Sequence, residues 1–315
     1  MMDGTVPSSD TIRHATIGTL GAEAQSLADR LPRLMLEARR IAMTILAGQH
    51  GRRRSGPGET FWQFRPYGQG EAAQRIDWRR SARDGHLFVR EREWEAAHTI
   101  WIWIDVSPSM LFRSKAALAD KIDHGVICAL ALADLLVRGG ERVGLWGIGQ
   151  PVSGGRVIEQ LGHQLLAVST RTPEELPRAM PLKQRHELVL ISDFLSPLSD
   201  WQQRITAWGG QNARGHALRI VDPVEETFPF HGQSELIGTE QALKHDIGDA
   251  DAFRTDYLTR MAHHDGGLAA LCQRMNWSWL KHHTDQPIPN GLLALAARIV
   301  QGSGKTTSSP LAEGF

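Results

Sequence analysis

The stretch that decides the fold reads Thr99-Ile-Trp-Ile-Trp-Ile-Asp-Val-Ser-Pro-Ser-Met110. Its first six residues alternate β-branched and aromatic side chains, which is typical of a strand buried on both faces, as in a parallel sheet. Three oxygen-bearing side chains spaced two apart follow the strand, namely Asp105, Ser107 and Ser109. Oxygen ligands of low total charge suit Mg²⁺ or Mn²⁺ better than Zn²⁺. The stretch therefore predicts a central strand that leads into a candidate metal site.

The chain after this strand alternates between strand and helix patterns. Helices are predicted over residues 115–137, 198–209, 250–275 and 289–300, and strands over 143–148, 156–161, 187–193, 216–221, 235–237 and 277–282, with 156–161 as an antiparallel edge strand. Such alternation predicts an α/β fold with a doubly wound, mostly parallel sheet. If the strand order is 3-2-1-4-5-6, the strands that end in Asp105 and Asp193 are neighbours where the order reverses, which is where such sheets bind ligands.

Upstream of the central strand the composition changes. Between Gly51 and Arg92 there are ten Arg and no Lys, against five Asp plus Glu, and six aromatic residues are interleaved with them. Two short strands are predicted, over about 60–65 and 86–92. The resulting division is 1–30, a flexible tail and the start of a helix; 31–98, a helix and an Arg/Trp-rich β element; 99–300, the α/β domain; and 301–315, a disordered tail.

The length, charge and cysteine content of the whole chain limit the class of protein to which it can belong. The 315 residues carry a formal net charge of zero, which gives no overall field that favours nucleic acid or an anionic membrane. The N-terminus has no secretory signal pattern, and no apolar run reaches about 18 residues. Cys128 and Cys272 lie far apart in apolar helical patterns, so buried free thiols are preferred over a disulfide. These features predict a soluble cytoplasmic protein.

Several motifs together resemble a bacterial family. They are Arg65-Pro-Tyr67-Gly-Gln-Gly70, Ile76-Asp77-Trp78-Arg79-Arg-Ser-Ala82 and Asp222-Pro-x-Glu225. In this combination they resemble the family called domain of unknown function 58, over about residues 31–300. The set Asp105-x-Ser107-x-Ser109 with Asp193 resembles the metal-ion-dependent adhesion site of von Willebrand factor A domains.

The resemblance implies a non-enzymatic, von Willebrand factor A-like domain with a protein partner. It implies that Mg²⁺ or Mn²⁺ is bound by Asp105, Ser107, Ser109 and Asp193. The adhesion-type site also takes a Thr from a later loop that usually carries glycines, and there this sequence departs from the pattern, because its loop offers Ser169, Thr170 and Thr172 without glycine. Genes of the family commonly neighbour those of MoxR-type AAA+ ATPases. The implied partner is therefore such an ATPase or its client, in protein assembly or maturation.

The Arg-rich segment supplies candidate partner-binding residues, which are Arg65, Tyr67, Asp77, Trp78 and Arg79. An ion pair between Asp77 and Arg79 is expected in preference to a catalytic role. Interleaved arginines and aromatics can also bind single-stranded nucleic acid. The neutral total charge and the alternating acids Glu91, Glu93 and Glu95 favour a protein interface instead.

Two other interpretations stay open. A metal-dependent hydrolase would use the same acids, but it needs a general base, and no His closely follows either strand. Alternatively, the metal site is degenerate and the fold serves as a scaffold. The adjacent pairs His263-His264 and His282-His283 are not expected to share a zinc ion, because neighbouring side chains diverge.

Overall fold

The computed structural model describes residues 20–49, 61–68, 72–92, 98–169, 175–182, 186–211, 213–237 and 244–303. Thr170, Thr172 and most of the two predicted tails lie outside these residues. The chain divides into two compact units. One, here called the sheet unit, comprises Met1–Gly48 and His98–Phe315, and the other, here called the Arg-rich unit, is Gln49–Ala97.

The described residues form helices and strands in alternation. The helices are α1 (Leu20–Gln49), α2 (Trp78–Asp84), α3 (Lys121–Arg138), α4 (Val157–Ser169), α5 (Leu198–Gly209), α6 (Pro223–Thr227), α7 (Ala250–Arg274) and α8 (Ile288–Ser303). The strands are β1 (Phe61–Pro66), β2 (Phe88–Arg92), β3 (Thr99–Ile104), β4 (Arg142–Leu145), β5 (Ile148–Val152), β6 (His186–Ser192), β7 (Arg214–Val221), β8 (Ser234–Ile237), β9 (Lys244–Ile247) and β10 (Ser278–His283).

The main sheet of the described residues has six strands in the order β10-β7-β6-β3-β4-β5. When only the strands of this sheet are numbered along the chain, with β3 as the first, the order is 3-2-1-4-5-6, as in the predicted fold. All neighbours pair in parallel except β4 and β5, which are antiparallel. The prediction of a doubly wound, mostly parallel sheet with one antiparallel edge strand is therefore confirmed.

Helices cover both faces of this sheet, and β3 shows why. Ile100, Ile102 and Ile104 point to one face, where they join a buried apolar cluster with side chains of α1, α3, α4 and α8. Trp103 points to the other face, where the cluster includes Trp201 and other residues of α5 and α7. Because successive side chains of a strand alternate between its faces, a strand apolar at every position must be covered twice.

The antiparallel edge strand lies earlier in the chain than the sequence predicts. Residues 156–161 were expected to be this strand, but Val157 begins α4 and the edge strand is β5. The reversal between β4 and β5 occurs at Gly147, whose φ of 77° suits glycine. Val157, Leu161 and Leu165 then recur every four residues and are buried on one helix face. The six residues 156–161 by themselves are too few to distinguish period two from period 3.6.

The helix predicted over 115–137 begins later, at Lys121. Residues 113–120 form a loop whose backbone is held by other loops at the carboxyl ends of the strands. The amide of Ser114 donates to Asp222 Oδ2 at 2.8 Å, and the amide of Leu118 donates to the carbonyl of Thr284 at 2.9 Å. The loop after β3 is thereby fixed to the loops after β7 and β10.

In the Arg-rich unit, β1 and β2 pair in antiparallel fashion, close to the two predicted strands. The helix α2 between them has Asp77 as its N-cap, whose Oδ1 accepts the amide of Arg80 at 3.0 Å, and Gly85 as its C-cap, whose φ is 68°. This is the N-cap and C-cap chemistry that short helices commonly use. Among the described helices of the chain, none combines the length and apolar character that a membrane crossing requires.

Candidate functional site

The predicted site lies at the carboxyl edge of the sheet, where the strand order reverses. Asp105 follows β3 and Asp193 follows β6, and these strands are paired in parallel up to Ile104 and Ile191. The amide of Asp105 donates to the carbonyl of Ile191 at 2.9 Å, so the ladder continues to the first residue of the site. The two acids are therefore delivered side by side, as the sequence predicts.

Asp105 is buried, and each of its carboxylate oxygens accepts a hydrogen bond. Oδ1 accepts the amide of Ser107 at 2.9 Å, and Oδ2 accepts the hydroxyl of Ser192 at 2.6 Å. Burial and the negative charge of Asp193 raise the pKa of Asp105 from 3.8 to about 7, although the hydrogen bonds from Ser192 and Ser107 act in the opposite direction.

The two serines connect the acids. Ser107 precedes a short 3₁₀ helix, Pro108–Leu111, which also contains Ser109. Their hydroxyl oxygens are 3.1 Å apart, and Ser109 also hydrogen-bonds to Asp193. All four residues named by the sequence therefore belong to one buried set, which we call the acid–alcohol cluster: Asp105, Ser107, Ser109 and Asp193.

Sequence reasoning did not anticipate Lys121. The first residue of α3 is fully buried, and its Nζ lies 2.8 Å from Asp193 Oδ2 and 2.6 Å from Glu225 Oε1. Burial acts to lower the pKa of Lys121, but the two carboxylates outweigh it and raise the pKa above its ordinary value. Burial likewise acts to raise the pKa of Asp193, but the Lys121 ammonium holds it below its ordinary value. A charged ion pair therefore adjoins the cluster.

A signal for Lys121 was present in the sequence. The residues that follow it, from Ile122 to Ala133, are mostly apolar and are buried all around the helix. A helix without an exposed face leaves a Lys in its first turn no route to water, so it must find a carboxylate. Glu225 belongs to the motif Asp222-Pro-x-Glu225, in which Asp222 and Glu225 form a capping box at the start of α6. That cap places Glu225 at the ammonium.

A second group of charges extends along the same edge. Arg219 is fully buried, donates from Nε to the carbonyl of Asp193 at 3.0 Å, and is ion-paired with Asp265. Lys281 Nζ lies 2.5 Å from Asp265 Oδ2 and 2.7 Å from Glu226 Oε1. Buried charges are tolerated where each has a partner of opposite sign. The edge thus carries a network of ion pairs in which each of these cations contacts at least one carboxylate.

The fit of a divalent cation depends on the oxygens that the cluster leaves open. Both oxygens of Asp105 accept hydrogen bonds, Asp193 Oδ1 accepts the amide of Leu195 at 3.2 Å, and Asp193 Oδ2 accepts Lys121. Within the described ranges, no three His, Cys, Asp or Glu side chains are grouped to hold a metal. With its side chains so placed, the cluster fits an ammonium better than Mg²⁺ or Mn²⁺. The metal role of the four residues stays a prediction.

The predicted partner-binding residues lie elsewhere, in the Arg-rich unit. Arg65 lies in β1 opposite Val89, and the amide of Tyr67 donates to the carbonyl of Leu87 at 2.8 Å. Asp77 caps α2. Trp78 is 63% exposed, and Arg79 beside it is also exposed. An exposed Trp next to an exposed Arg is a common composition for a protein contact surface.

The adjacent histidines diverge, as the sequence predicts. His282 pairs with His124 (Nε2 to Nδ1, 2.8 Å), whereas His283 contacts Glu226 Oε2 at 2.8 Å. His264 contacts the carbonyl of Phe194 at 2.7 Å. Both cysteines are free and buried, and burial raises the pKa of each thiol to about 12. The preference for buried free thiols is confirmed.

Comparison with known proteins gives relatives that match this chain over most of their length and most of its own. The chain is 27% identical over 276 residues to the uncharacterized protein Rv1480 of Mycobacterium tuberculosis (strain H37Rv) and, to the same extent, to the uncharacterized protein Mb1516 of Mycobacterium bovis. In each case the match covers 82% of this chain and 86% of the relative.

Among solved structures, the chain is similar to BatB from Bacteroides thetaiotaomicron, with 9% identity and a TM-score of 0.40, over 66% of this chain and all of that one. It is similar to an aerotolerance-related membrane protein from Bacteroides fragilis, with 13% identity and a TM-score of 0.39, over 65% of this chain and all of that one.

A family model described as "Protein of unknown function DUF58" matches residues 63–266. The match begins within β1 of the Arg-rich unit and ends within α7, so it contains the motifs at 65–70 and 76–82 as well as the acid–alcohol cluster. On this match, which spans more than half of its length, the chain belongs to the DUF58 family.

Proposed function

We propose that this protein is a non-enzymatic, protein-binding adaptor whose binding face is the carboxyl edge of the sheet unit. The observation that carries the proposal is the state of the acids at this edge. A general base or a metal-activating carboxylate needs an oxygen open to its substrate. Here Asp105 and Asp193 are each only 2% exposed, and their oxygens accept hydrogen bonds from Ser107, Ser192, Leu195 and Lys121. The chemistry of the edge is used internally, which supports binding over catalysis.

Apolar side chains at the same edge support a protein as the ligand. Leu118, in the loop after β3, is 61% exposed, and Leu195, in the loop after β6, is 39% exposed. Both loops are fixed by hydrogen bonds, Leu118 through its amide to Thr284 and Leu195 through its amide to Asp193. Leucines displayed on pre-organised loops lose little conformational freedom on association, and this loss is one of the costs of forming an interface.

The partner we propose is a MoxR-type AAA+ ATPase or one of its clients. The support is membership of the DUF58 family, for which the sequence resemblance implies such a partner in protein assembly or maturation. Trp78 and Arg79 of the Arg-rich unit are the candidates for a second contact, because they are the exposed members of the predicted partner-binding set.

The test is a binding measurement with a purified MoxR-type AAA+ ATPase from the same organism. We expect Leu118→Asp combined with Leu195→Asp to weaken the affinity at least tenfold, since a buried charge replaces an apolar contact. The matched control is Leu293→Asp combined with Val300→Asp on α8, where the two residues are 45% and 63% exposed, so that the same two charges are placed at comparably exposed apolar positions. Equal affinities of the wild type and the double variant would contradict this binding face.

A further inference from the structure

We propose that the ammonium of Lys121 is the resident cation of the acid–alcohol cluster, in the place where an adhesion-type site holds a divalent metal ion. The inference concerns the edge to which the proposed function assigns a partner. Its consequence for partner binding rests on that function, whereas the placement of the ammonium does not.

The contacts of Lys121 are those of a bound cation. Its Nζ is fully buried and lies within 2.8 Å of Asp193 and 2.6 Å of Glu225, whose side chains are 2% and 12% exposed. An ammonium has three N–H donors, and two of them are matched by these carboxylates. The ring of Phe112, 5.7 Å from Nζ to its centroid, adds an aromatic face within cation–π distance.

The ammonium is connected to the alcohols of the cluster through the hydrogen bonds of Asp193. Asp193 accepts Lys121 and Ser109, and Ser109 lies 3.1 Å from Ser107 between the two hydroxyl oxygens. The two alcohols that a metal would require are therefore hydrogen-bonded within the cluster. A divalent ion that replaced these hydrogen bonds would approach the ammonium through a buried region, where repulsion between like charges is weakly screened.

The backbone of Lys121 is also held in place. It is the first residue of α3, a helix buried on almost every side. Arg30 of α1 fixes the start of the same helix through ion pairs with Asp120 at 2.6 Å and Asp123 at 2.8 Å. Displacing the ammonium would leave Asp193 and Glu225 facing each other without a cation, or would require shifting the helix end.

The experiment uses Mn²⁺ as the probe, with bound metal read by electron paramagnetic resonance and thermal unfolding followed in Mn²⁺ and in EDTA. The decisive variant is Lys121→Met combined with Glu225→Gln, which removes the ammonium together with one of its two acids and leaves the carboxylate of Asp193 for the metal ion. The matched control is Lys281→Met, since Lys281 also bridges two acids at this edge but is one-third exposed.

We expect no saturable Mn²⁺ binding by the wild type or the Lys281→Met control, and the same Tm in Mn²⁺ and EDTA. We expect the double variant to bind one Mn²⁺ ion and its Tm to rise in Mn²⁺ by about 3 °C or more. If the double variant does not fold, Lys121→Gln replaces it with the same expectation, because the amide still donates a hydrogen bond.

Two results would overturn the inference. One is stoichiometric Mn²⁺ binding by the wild type that is lost in Asp193→Asn. The other is a folded charge-removing variant that binds no Mn²⁺, because the ammonium would then not be what excludes the ion. Loss of affinity for the ATPase in the leucine variants is measured separately, so a failure of the proposed function leaves the metal results interpretable.

Discussion

The buried pair of His124 and His282 predicts how the stability of this protein depends on pH. The two rings join α3 to β10, with 2.8 Å between Nδ1 of His124 and Nε2 of His282. Burial lowers the pKa of each ring from 6.5 to about 4. Arg113 acts in the same direction on His124, and His283 acts in the same direction on His282, while Asp285 opposes it. Both rings are therefore neutral in the folded protein above about pH 4.

The sign of the effect follows from proton uptake. Between about pH 6.5 and pH 4 the unfolded chain binds protons at these rings that the folded protein does not bind, so the free energy of unfolding rises with pH. The contribution is fully present above pH 6.5 and is lost as the pH falls towards 4. At about pH 5 each ring should cost about 2 kcal/mol, and the pair about 4 kcal/mol, at roughly 1.4 kcal/mol per pKa unit.

The assay is urea unfolding at about pH 7.5 and pH 5, followed by tryptophan fluorescence. Carboxyl groups with raised pKa values, such as Asp105, oppose the trend in the wild type, so the comparison is made between variants. We expect His282→Gln to reduce the loss of stability on acidification by about 2 kcal/mol relative to the wild type. The control is His163→Gln on α4, whose side chain is exposed in the folded protein. An identical pH dependence in the wild type and His282→Gln would refute the reasoning.

Two further predictions follow from packing. Gly215→Ala should destabilise the protein by about 1–3 kcal/mol or prevent folding, because a Cβ at Gly215 would lie 2.1 Å from the ring of Trp277. The measurement is thermal unfolding, and the control is Gly248→Ala, since a Cβ at Gly248 would meet nothing within 4 Å. Cys128 and Cys272 should not react with a thiol reagent at about pH 8 until the protein unfolds, since both are buried and burial raises their thiol pKa values to about 12; rapid labelling of both in the native protein would contradict their burial.

Under the proposed placement of the Lys121 ammonium, a metal-site motif would serve a different role at the carboxyl edge. The same residue pattern that can bind Mg²⁺ here accepts hydrogen bonds from neighbouring backbone amides, from Ser192 and from Lys121. A pattern of ligand types specifies which oxygens are available, but not which cation neutralises them. In this chain the cation that we propose is a side chain of the protein itself, the ammonium of Lys121.

Much of the fold was accessible from local sequence periodicity. The central strand was predicted from the alternation in Thr99–Ile104, and the α/β class from the alternation of strands with helices, whereas the strand order is a property of the expected fold that the alternation does not encode. The error at 156–161 arose because a six-residue segment with apolar residues at Val157, Ile158 and Leu161 suits both periods. Only the packing of Leu165 and later residues of α4 distinguishes them.

The sequence by itself indicated that two strands would each end in an acid, one of them followed by a pair of hydroxyls, because hydrophobic periodicity and residue spacing mark where strands end. That the two strands are neighbours depended on the strand order expected for the fold. Which charge neutralises those acids was decided only by tertiary structure. Lys121, Glu225 and Arg219 come from three different elements, α3, α6 and β7. Each of them is more than twenty residues away from Asp193 along the chain, so no spacing rule relates them to that acid. They meet because a buried charge has to find its counter-charge wherever the folded chain provides one.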